Sequence, residues 1–386
     1  MRLLIIPSWY PSKGNPVNGI FFREQALALS KSGHHVTVID VTFHGRNDFF
    51  RKDNFRFFYK NDEGIHTYSY KMPSFYIFSR ISFVFILLYK FLLFRVFKKI
   101  IKKGINFDVI HAHSFFPAGF CACDISKKYN IPLVVTEHNT DVLEKRLSKY
   151  YQNRLQKTIE NCHKFLCVSE ALRLSVLEQV KMEHKLLVVP NMFSSDFIYL
   201  DRGKNISNNF TFLSIGFFNE RKRHDYAISC FEEAFRDIPN VRFEIIGKGE
   251  LYDMCQKQIL ENDLQGKVQL FDLLPRKELV KKMQECDIFV LASTFENFGV
   301  VYVEAMACGK PVIATKNGGA ESIVNETNGI LIEKDNKEQL VEAFRYMYHN
   351  VHKYDSKKIA EDCYAKYSEE AVVKQLSTVY FEITAK

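Results

Sequence analysis

Short apolar, β-branched runs alternate along this chain with segments long enough for helices, and this alternation limits the folds open to it. Such a pattern is typical of parallel sheets with helices on both faces. In the first half the predicted strands are Leu3–Pro7, Val36–Val41, Val109–His113, Leu133–Glu137, Phe165–Ser169 and Leu186–Val189. In the second half they are Phe210–Ile215, Arg242–Ile246, Val268–Phe271, Ile288–Ala292, Val312–Ala314 and Ile330–Ile332. The sequence therefore predicts an α/β protein with two Rossmann-like, doubly wound sheets.

The length of 386 residues exceeds what one hydrophobic core usually serves, which predicts two domains. A polar stretch without periodicity at residues 201–209 is interpreted as the linker. We therefore expect an N-terminal domain at 1–200 and a C-terminal domain at 201–369, while the last helical stretch, about 370–386, is able to pack on either one. Ligands of doubly wound sheets bind at the carboxyl ends of the strands, so we expect a deep interdomain cleft to hold the site.

The basic residues are concentrated in the first half. Residues 1–200 carry 28 basic and 16 acidic side chains, a net charge of +12, whereas residues 201–386 carry 25 and 29, a net charge of −4. The basic half is expected to face something anionic, such as a membrane surface, a phosphorylated lipid or a nucleic acid. Its basic residues show no aromatic-interleaved recognition motif, so we do not expect nucleic acid as a partner.

One basic segment, from Phe75 to Lys103, is also very apolar. Its longest uncharged run, Ile81–Tyr89, is far shorter than the roughly 20 residues that a membrane span needs. Two interpretations remain open. The segment is either a helix that lies in an anionic membrane interface, or a core helix with a solvated basic end.

The strongest functional signal follows the predicted strand Ile288–Ala292. The next loop contains Glu296, Gly299 stands where a helix is expected to begin, and Glu304 lies about one and a half turns further on. Free backbone N–H groups at a helix start, beside a residue without a side chain, suit a diphosphate. Carboxylates accept strong hydrogen bonds from sugar hydroxyls. Taken alone, either glutamate is explained equally well by the preference of helix starts for acidic residues.

This segment resembles the signature of retaining glycosyltransferases of the GT-B fold, family 4. Glu296 and Glu304 have the spacing of the two family glutamates. A small-residue helix follows, then Gly309–Thr315 and the glycine turn Asn317–Gly319, as in the family. The resemblance implies a GT-B fold, in which two Rossmann-like domains face each other.

The first half agrees with this resemblance. The loop after the first strand ends in Asn18 and Gly19, where the family carries a glycine pair near the donor phosphates; Asn tolerates positive φ, so the turn is compatible with it. On a strand, His111 and His113 point to the same face, where a lone histidine is more often a core residue. The resemblance assigns His113 to the donor sugar and places His138 near the acceptor. A zinc site is the alternative, although no third cluster of ligand-type residues is evident.

The second half opens with a basic loop that resembles the family's phosphate-binding loop. Lys222 matches the family lysine beside the departing diphosphate, where a fixed cation stabilises leaving-group charge. Phe217 replaces the usual arginine and Arg223 replaces a glycine, so either Arg221 or Arg223 supplies the second charge, or the phosphates are held more weakly. Without the resemblance, this stretch is a basic, solvated loop.

The resemblance thus implies a donor site with specific roles. Glu304 would bind the ribose, Glu296 would contact the donor sugar, and backbone N–H groups of Gly299 and Val300 would hold the diphosphate. We predict His113, Lys222 and Glu296 as catalytic residues. The predicted donor-binding residues are Gly19, Gly216, Arg221, Lys222, Glu296, Asn297, Phe298, Gly299, Val300 and Glu304.

The resemblance implies a retaining transfer from a UDP- or GDP-linked sugar to a glycan or lipid-linked acceptor in cell-surface polysaccharide biosynthesis. We expect no cofactor and no metal, because no aspartate cluster is suited to chelate a metal–diphosphate. A nucleotide-sugar 2-epimerase and a catalytically inactive scaffold, the latter favoured by Phe217, remain open. Pro7 interrupts the first apolar run and the nine cysteines form no C-x-x-C pair, so we expect a cytoplasmic protein or one peripheral on the inner membrane face.

Overall fold

The computed structural model describes residues 1–12, 17–44, 55–73, 82–180, 182–201 and 209–385. The chain divides into two compact units. Unit 1 comprises Met1–Pro190 and Val372–Lys386, and unit 2 comprises Asn191–Ala371. Each unit contains one largely parallel sheet with helices, which confirms the predicted fold class.

Unit 1 contains an eight-stranded sheet in the order β3-β4-β2-β1-β5-β6-β7-β8. All neighbouring strands except β3 and β4 pair in parallel. Strands β5 and β6 are buried along their whole length, as is typical of a parallel sheet covered on both faces. The strands are β1 (Arg2–Pro7), β2 (His35–His44), β3 (Phe57–Asp62), β4 (Ile65–Pro73), β5 (Val109–His113), β6 (Leu133–Glu137), β7 (Lys164–Cys167) and β8 (Leu186–Val188).

The hairpin of β3 and β4 is a feature that the sequence patterns did not predict. Its two-residue turn consists of Glu63 and Gly64, with φ values of 53° and 92°. Such turns favour Asn or Asp at the first position, so a glutamate there hides the signal. Arg23 anchors the turn, with Nε 2.6 Å from Oδ2 of Asp62 and Nη2 2.9 Å from Oε1 of Glu63.

Among the described residues the first six α-helices lie in unit 1, and the second of them contains most of the apolar, basic segment. That helix buries one face, including Tyr89, Leu93 and Phe97, against the sheet side of the unit. Residues 75–81 of the predicted segment lie outside the described residues. The helices are α1 (Ile20–Lys31), α2 (Ser82–Ile101), α3 (Phe120–Tyr129), α4 (Thr140–Leu143), α5 (Lys149–Asn161) and α6 (Glu170–Gln179).

Unit 2 contains a six-stranded parallel sheet in the order β11-β10-β9-β12-β13-β14. Its strands, all predicted, are β9 (Phe210–Ile215), β10 (Val241–Ile246), β11 (Val268–Phe271), β12 (Ile288–Leu291), β13 (Val312–Thr315) and β14 (Gly329–Ile332). Its helices are α7 (His224–Phe235), α8 (Tyr252–Glu261), α9 (Arg276–Glu285), α10 (Val300–Ala307), α11 (Lys337–Asn350) and α12 (Ser356–Tyr367).

The last helix, α13 (Glu369–Thr384), returns the chain to unit 1. The hydroxyl of its Tyr380 lies 2.6 Å from Nδ1 of His111, and Thr136 Oγ1 lies 2.7 Å from Nε2 of the same ring. Tyr380 and His111 are fully buried. A buried polar contact therefore joins the C-terminal helix to the first sheet.

The first crossing between the units comes at Asn191, earlier than the predicted linker at residues 201–209. Phe193 and Phe197 are buried, and the backbone N–H of Tyr199 donates to the hydroxyl of Tyr364 at 2.6 Å. The segment before the polar stretch is thus already packed into unit 2.

Candidate functional site

The predicted donor residues of unit 2 lie on loops at the carboxyl edge of its sheet. Gly216 directly follows β9, the Glu296 loop follows β12, and the Asn317 turn follows β13. Backbone hydrogen bonds join these loops: Thr294 N–H donates to Arg221 O at 2.8 Å, and Glu296 N–H donates to Asn317 O at 2.9 Å. The fold therefore brings three chain segments that are distant in sequence to one edge.

Lys222 and Glu296 form an ion pair across two of these loops. Their side chains are only 19% and 14% exposed, so the pair is shielded from solvent more than an ordinary surface pair. Screening by water and salt is correspondingly weaker at this position. The family resemblance gives the two residues separate roles, whereas in the structure they form one ion pair that fixes the position of the cation.

Gly299 occupies the N-cap of α10, with φ of 84°. A Cβ there would lie 2.4 Å from Cδ2 of Tyr302, so both the backbone and the space require glycine. Val300 is the first helical residue, and the N–H groups at such a helix start have no acceptor within the helix. Asn297 is partly buried in the preceding loop, and buried Phe298 packs edge-on against the Tyr367 ring at 5.6 Å.

A buried network supports this helix start. Asn317 is fully buried; its Nδ2 donates to the Tyr302 hydroxyl at 2.8 Å and its Oδ1 accepts from Ala320 N–H at 3.1 Å. Oε2 of Glu321 accepts from the backbone N–H groups of Asn317 and Gly318 at 3.1 and 2.8 Å. Asn317 and Tyr302 are 15 residues apart on different elements, so no local pattern of the sequence indicates their contact.

Glu304 is 7% exposed, and Nη1 of Arg276 lies 3.7 Å from its Oε1. Nε of Arg276 also donates to Asp196 at 3.1 Å, and its guanidinium lies 4.6 Å from the centre of the Phe197 ring. Sequence reasoning missed Arg276. The available signal was its place at the start of α9, just after the loop at the carboxyl end of β11.

The two departures from the family pattern, Phe217 and Arg223, lie on the loop between β9 and α7. Arg223, in place of a glycine, has φ of 55°, which is the left-handed region that glycine adopts most easily. Its Nη2 lies 2.7 Å from Oδ1 of Asp335. Phe217, in place of an arginine, is 44% exposed.

A Cβ on Gly247 would lie 1.9 Å from Gly216 O, so the loops after β9 and β10 touch backbone to backbone.

In unit 1 the two predicted histidines lie together. Nδ1 of His113 is 3.2 Å from Nε2 of His138, and the ring of Phe22 lies 4.6 Å from the first and 4.9 Å from the second. The His111 and His113 rings lie 4.3 Å apart, on one face of β5 as predicted. Burial lowers the pKa of His138 to about 3 and holds that of His113 well below its usual range, so both rings are uncharged at neutral pH.

Gly19 forms the N-cap of α1, with φ of 74°. A Cβ there would lie 2.9 Å from both the Trp9 ring and the Trp9 carbonyl oxygen. Asn18 is not among the residues with positive φ. The glycine that remains is thus the one that the turn requires, and the backbone at Asn18 does not need a glycine.

Glu137 is a buried carboxylate that sequence reasoning passed over. Its Oε2 accepts from Phe115 N–H at 2.7 Å, and its Oε1 accepts from His138 and Asn139 N–H groups at 2.8 and 2.6 Å. Burial raises the pKa of this carboxyl to about 7, against the opposing effect of the three N–H groups. The side chain therefore joins the loop after β5 to the loop after β6, close to the histidine pair.

Within the described ranges, no group of three or more His, Cys, Asp or Glu side chains is arranged to hold a metal ion. The two histidine clusters therefore do not form a zinc site with a third ligand among those residues. In the same part of the chain, every helix is too short or too polar to span a bilayer.

Each of the two α/β units contains a largely parallel sheet, and one unit carries a glutamate pair around a glycine-capped helix start. These features together define a glycosyltransferase of the GT-B fold. The chain matches the model of glycosyl transferases group 1 over residues 200–362 and that of glycosyltransferase family 4 over residues 19–197. An uncharacterized glycosyltransferase of Methanocaldococcus jannaschii is 31% identical over 261 residues, covering 67% of this chain and 70% of that protein. The chain therefore belongs to glycosyltransferase family 4.

Other proteins extend the comparison. The alpha-monoglucosyldiacylglycerol synthase of Acholeplasma laidlawii is 24% identical over 311 residues, which cover 74% of this chain and 77% of that protein. Among solved structures, Anabaena HepE in complex with UDP and glucose superposes with a TM-score of 0.73 at 16% identity, over 99% of this chain and 100% of that chain. At this identity the structural likeness shows the fold alone.

Proposed function

We propose that this chain transfers a sugar from a nucleoside diphosphate sugar to an acceptor hydroxyl, with retention of configuration at the anomeric carbon and without a metal. The observation that carries the proposal is the arrangement at the start of α10. Gly299 opens the helix, the Lys222–Glu296 pair lies on the adjoining loops, and the buried carboxylate of Glu304 lies about one and a half turns further on.

Each part of this arrangement has a chemical use toward such a donor. The N–H groups of Gly299 and Val300, with the positive end of the helix dipole, suit the diphosphate. Glu304, oriented by Arg276, suits the two ribose hydroxyls, and Glu296 suits a hydroxyl of the sugar. UDP is our preferred nucleotide, with GDP as the other option, because HepE, which shares the fold, was solved with UDP and glucose.

In the proposed reaction, negative charge develops on the diphosphate as the glycosidic bond to phosphate breaks. Lys222 is fixed and cationic, and so stabilises this charge without reorganisation. The acceptor hydroxyl then attacks the face that the diphosphate leaves, and a phosphate oxygen takes its proton. The roles of His113 at the donor sugar and His138 at the acceptor stay predictions from the family resemblance.

The acceptor in this proposal is a glycan or a lipid-linked sugar of the cell surface, at an anionic membrane. The charge of +12 on residues 1–200 and the lipid-glucosylating relative named above support this choice. Helix α2 is the element that would meet the membrane.

A screen of nucleotide sugars by thermal shift tests the donor, because a ligand at 100 times its Kd adds about 2.7 kcal/mol to stability. NMR of the anomeric proton in the product then distinguishes retention from inversion. Full turnover in excess EDTA is expected, and loss of activity that Mg²⁺ restores contradicts the metal-free route. Donor turnover without any acceptor would instead favour the 2-epimerase, and tight nucleotide binding without turnover would favour the inactive scaffold.

A further inference from the structure

The hairpin side of unit 1 exposes most of the large apolar side chains of that unit. Ten such side chains are exposed among the described residues of unit 1, and six of them belong to the hairpin, its entry and α2. We call this region the hairpin–α2 surface. Its six members are Phe55, Phe58, Tyr59, Phe83, Leu87 and Phe91.

The solvent face of α2 changes character along its length. Phe83, Leu87 and Phe91 are 60%, 50% and 59% exposed, and their four-residue spacing places them on one face. The same face continues with Arg95 and then Lys98, both exposed. The first half of the face is therefore apolar and the second half is basic, while the opposite face is buried in unit 1.

Among the described residues, no carboxylate neutralises the cations at the end of α2. Lys90 pairs with Asp124 at 2.6 Å, but no ion pair joins the five later cations of the segment (Arg95, Lys98, Lys99, Lys102 and Lys103) to a carboxylate of the described residues. Nζ of Lys99 instead lies 4.2 Å from the centre of the Phe57 ring. Within the part of the chain that the structure describes, this basic end therefore presents unneutralised positive charge to an anion.

A cavity of about 200 Å³ lies between α2 and the hairpin. Among the described residues its lining combines two cations and aromatic walls without an acidic side chain, and consists of Phe55, Phe57, Tyr70, Arg95, Val96 and Lys99. Sites for drug-sized ligands measure roughly 300–1,000 Å³, so this cavity suits a small group. Two cations converging on it select an anionic one.

We propose that this cavity binds the phosphate head group of an anionic bilayer lipid while Phe83, Leu87 and Phe91 enter the bilayer interface. The apolar half of the face argues against nucleic acid, which offers no apolar phase for three aligned side chains. An apolar stripe followed by cations matches a surface with hydrocarbon below a layer of phosphates. Exposed Tyr59 and Phe55 on the hairpin side suit the same interface.

Flotation of the full-length chain with vesicles tests this site. Wild type is expected to bind phosphatidylcholine vesicles that contain phosphatidic acid and to stay free with phosphatidylcholine alone. A surface lysine or arginine contributes about 1 kcal/mol at an anionic membrane, so Arg95→Ala with Lys99→Ala is expected to weaken binding roughly 30-fold. The matched control removes two exposed cations elsewhere in unit 1, Lys31→Ala with Lys157→Ala, and is expected to bind within about twofold of wild type, since salt screens distant charges.

Specific outcomes overturn the proposal. Equal weakening in the control pair would mean that bulk charge alone attracts the chain. Binding of inorganic phosphate that Arg95→Ala with Lys99→Ala abolishes, in a chain that does not bind the vesicles, would make free phosphate the occupant. If the variant with Phe83→Ser, Leu87→Ser and Phe91→Ser binds vesicles as well as wild type does, the proposed contact of these side chains with the bilayer is wrong. Arg95→Glu alone keeps the contact of Lys99 with Phe57. This variant is measured if the double variant does not fold, and it too is expected to weaken vesicle binding.

The membrane site and the transfer chemistry fail separately. Binding at this site would hold the protein on the membrane that carries the proposed lipid-linked acceptor. Only this role of the site rests on the proposed function; the binding itself does not. Nucleotide-induced thermal shifts are measured on the same preparations. Shifts without vesicle binding would sink the membrane site and keep the transferase; vesicle binding without any nucleotide shift would do the reverse.

Discussion

Replacing Gly299 with alanine tests the helix start most directly. The new Cβ would lie 2.4 and 2.5 Å from two carbons of the Tyr302 ring. That ring cannot yield easily, since it is fully buried and its hydroxyl is hydrogen-bonded to Asn317. Overpacking costs about 1–3 kcal/mol, and a left-handed non-glycine residue about 1–2 kcal/mol more. We expect a loss of roughly 2–5 kcal/mol in the free energy of unfolding.

Gly33→Ala is the matched control for this change. Gly33 has φ of 88°, close to the 84° of Gly299, and a Cβ there would meet nothing within 4 Å. Its loss of stability therefore reports the backbone strain alone. Urea unfolding gives both losses, and calorimetric titration with UDP and GDP gives the nucleotide Kd. A hydrogen bond to a charged group contributes about 1.5–3 kcal/mol, so Gly299→Ala, which displaces the N–H groups, is expected to weaken nucleotide binding at least about tenfold, and Gly33→Ala to leave it unchanged.

Two results would refute this reasoning. If Gly299→Ala and Gly33→Ala lose the same stability, the contact with Tyr302 does not restrict the site. If Gly299→Ala loses stability but binds UDP and GDP as wild type does, the N–H groups of α10 do not hold the diphosphate.

Three further predictions concern Lys222, Phe217 and His111. Lys222→Met is expected to lower kcat about 10²- to 10³-fold with a smaller change in KM, because the cation acts on charge that develops during the reaction; equal kcat in steady-state kinetics would contradict that role. Phe217→Arg restores the family's cation at an exposed position and is expected to lower the nucleotide Kd about tenfold, which is the effect of one hydrogen bond to a charged group. An unchanged Kd would mean that residue 217 does not contact the phosphates. Burial lowers the pKa of His111 to about 3, so the unfolded chain takes up a proton below pH 6.5 that the folded one refuses. Stability should therefore fall by about 1.4 kcal/mol per pH unit for this residue between pH 6.5 and 4, and His111→Gln should flatten that slope in unfolding curves.

The parallel sheets were predictable because their strands are apolar runs that need only local pattern to be recognised. The β3–β4 hairpin was not, since β3 carries mostly exposed polar and aromatic residues and the turn uses Glu63. The boundary at Asn191 was also missed. Residues 191–199 contain no periodic pattern, and only their contacts with the distant α12 show where they belong.

The candidate site divides in the same way. Gly299 and the two glutamates were predictable because their spacing within one loop and one helix is local. The ion pair of Lys222 with Glu296 and the contact of Arg276 with Glu304 join residues far apart in sequence, so no local pattern reports them. The direction of the Glu137 carboxylate is likewise a property of three loop N–H groups and not of the strand that carries it.

The return of α13 to unit 1 has a consequence for how this protein folds while the ribosome synthesises it. A ribosome releases Met1–Pro190 first, yet that unit lacks its final helix until Val372–Lys386 has been made. Unit 2 is one continuous segment, and is thus the first to be complete. The half that is translated second can finish folding first, while the early half waits with His111 still without Tyr380. Every premature stop upstream of Tyr380 therefore damages the N-terminal half of the protein, not only the end that it removes.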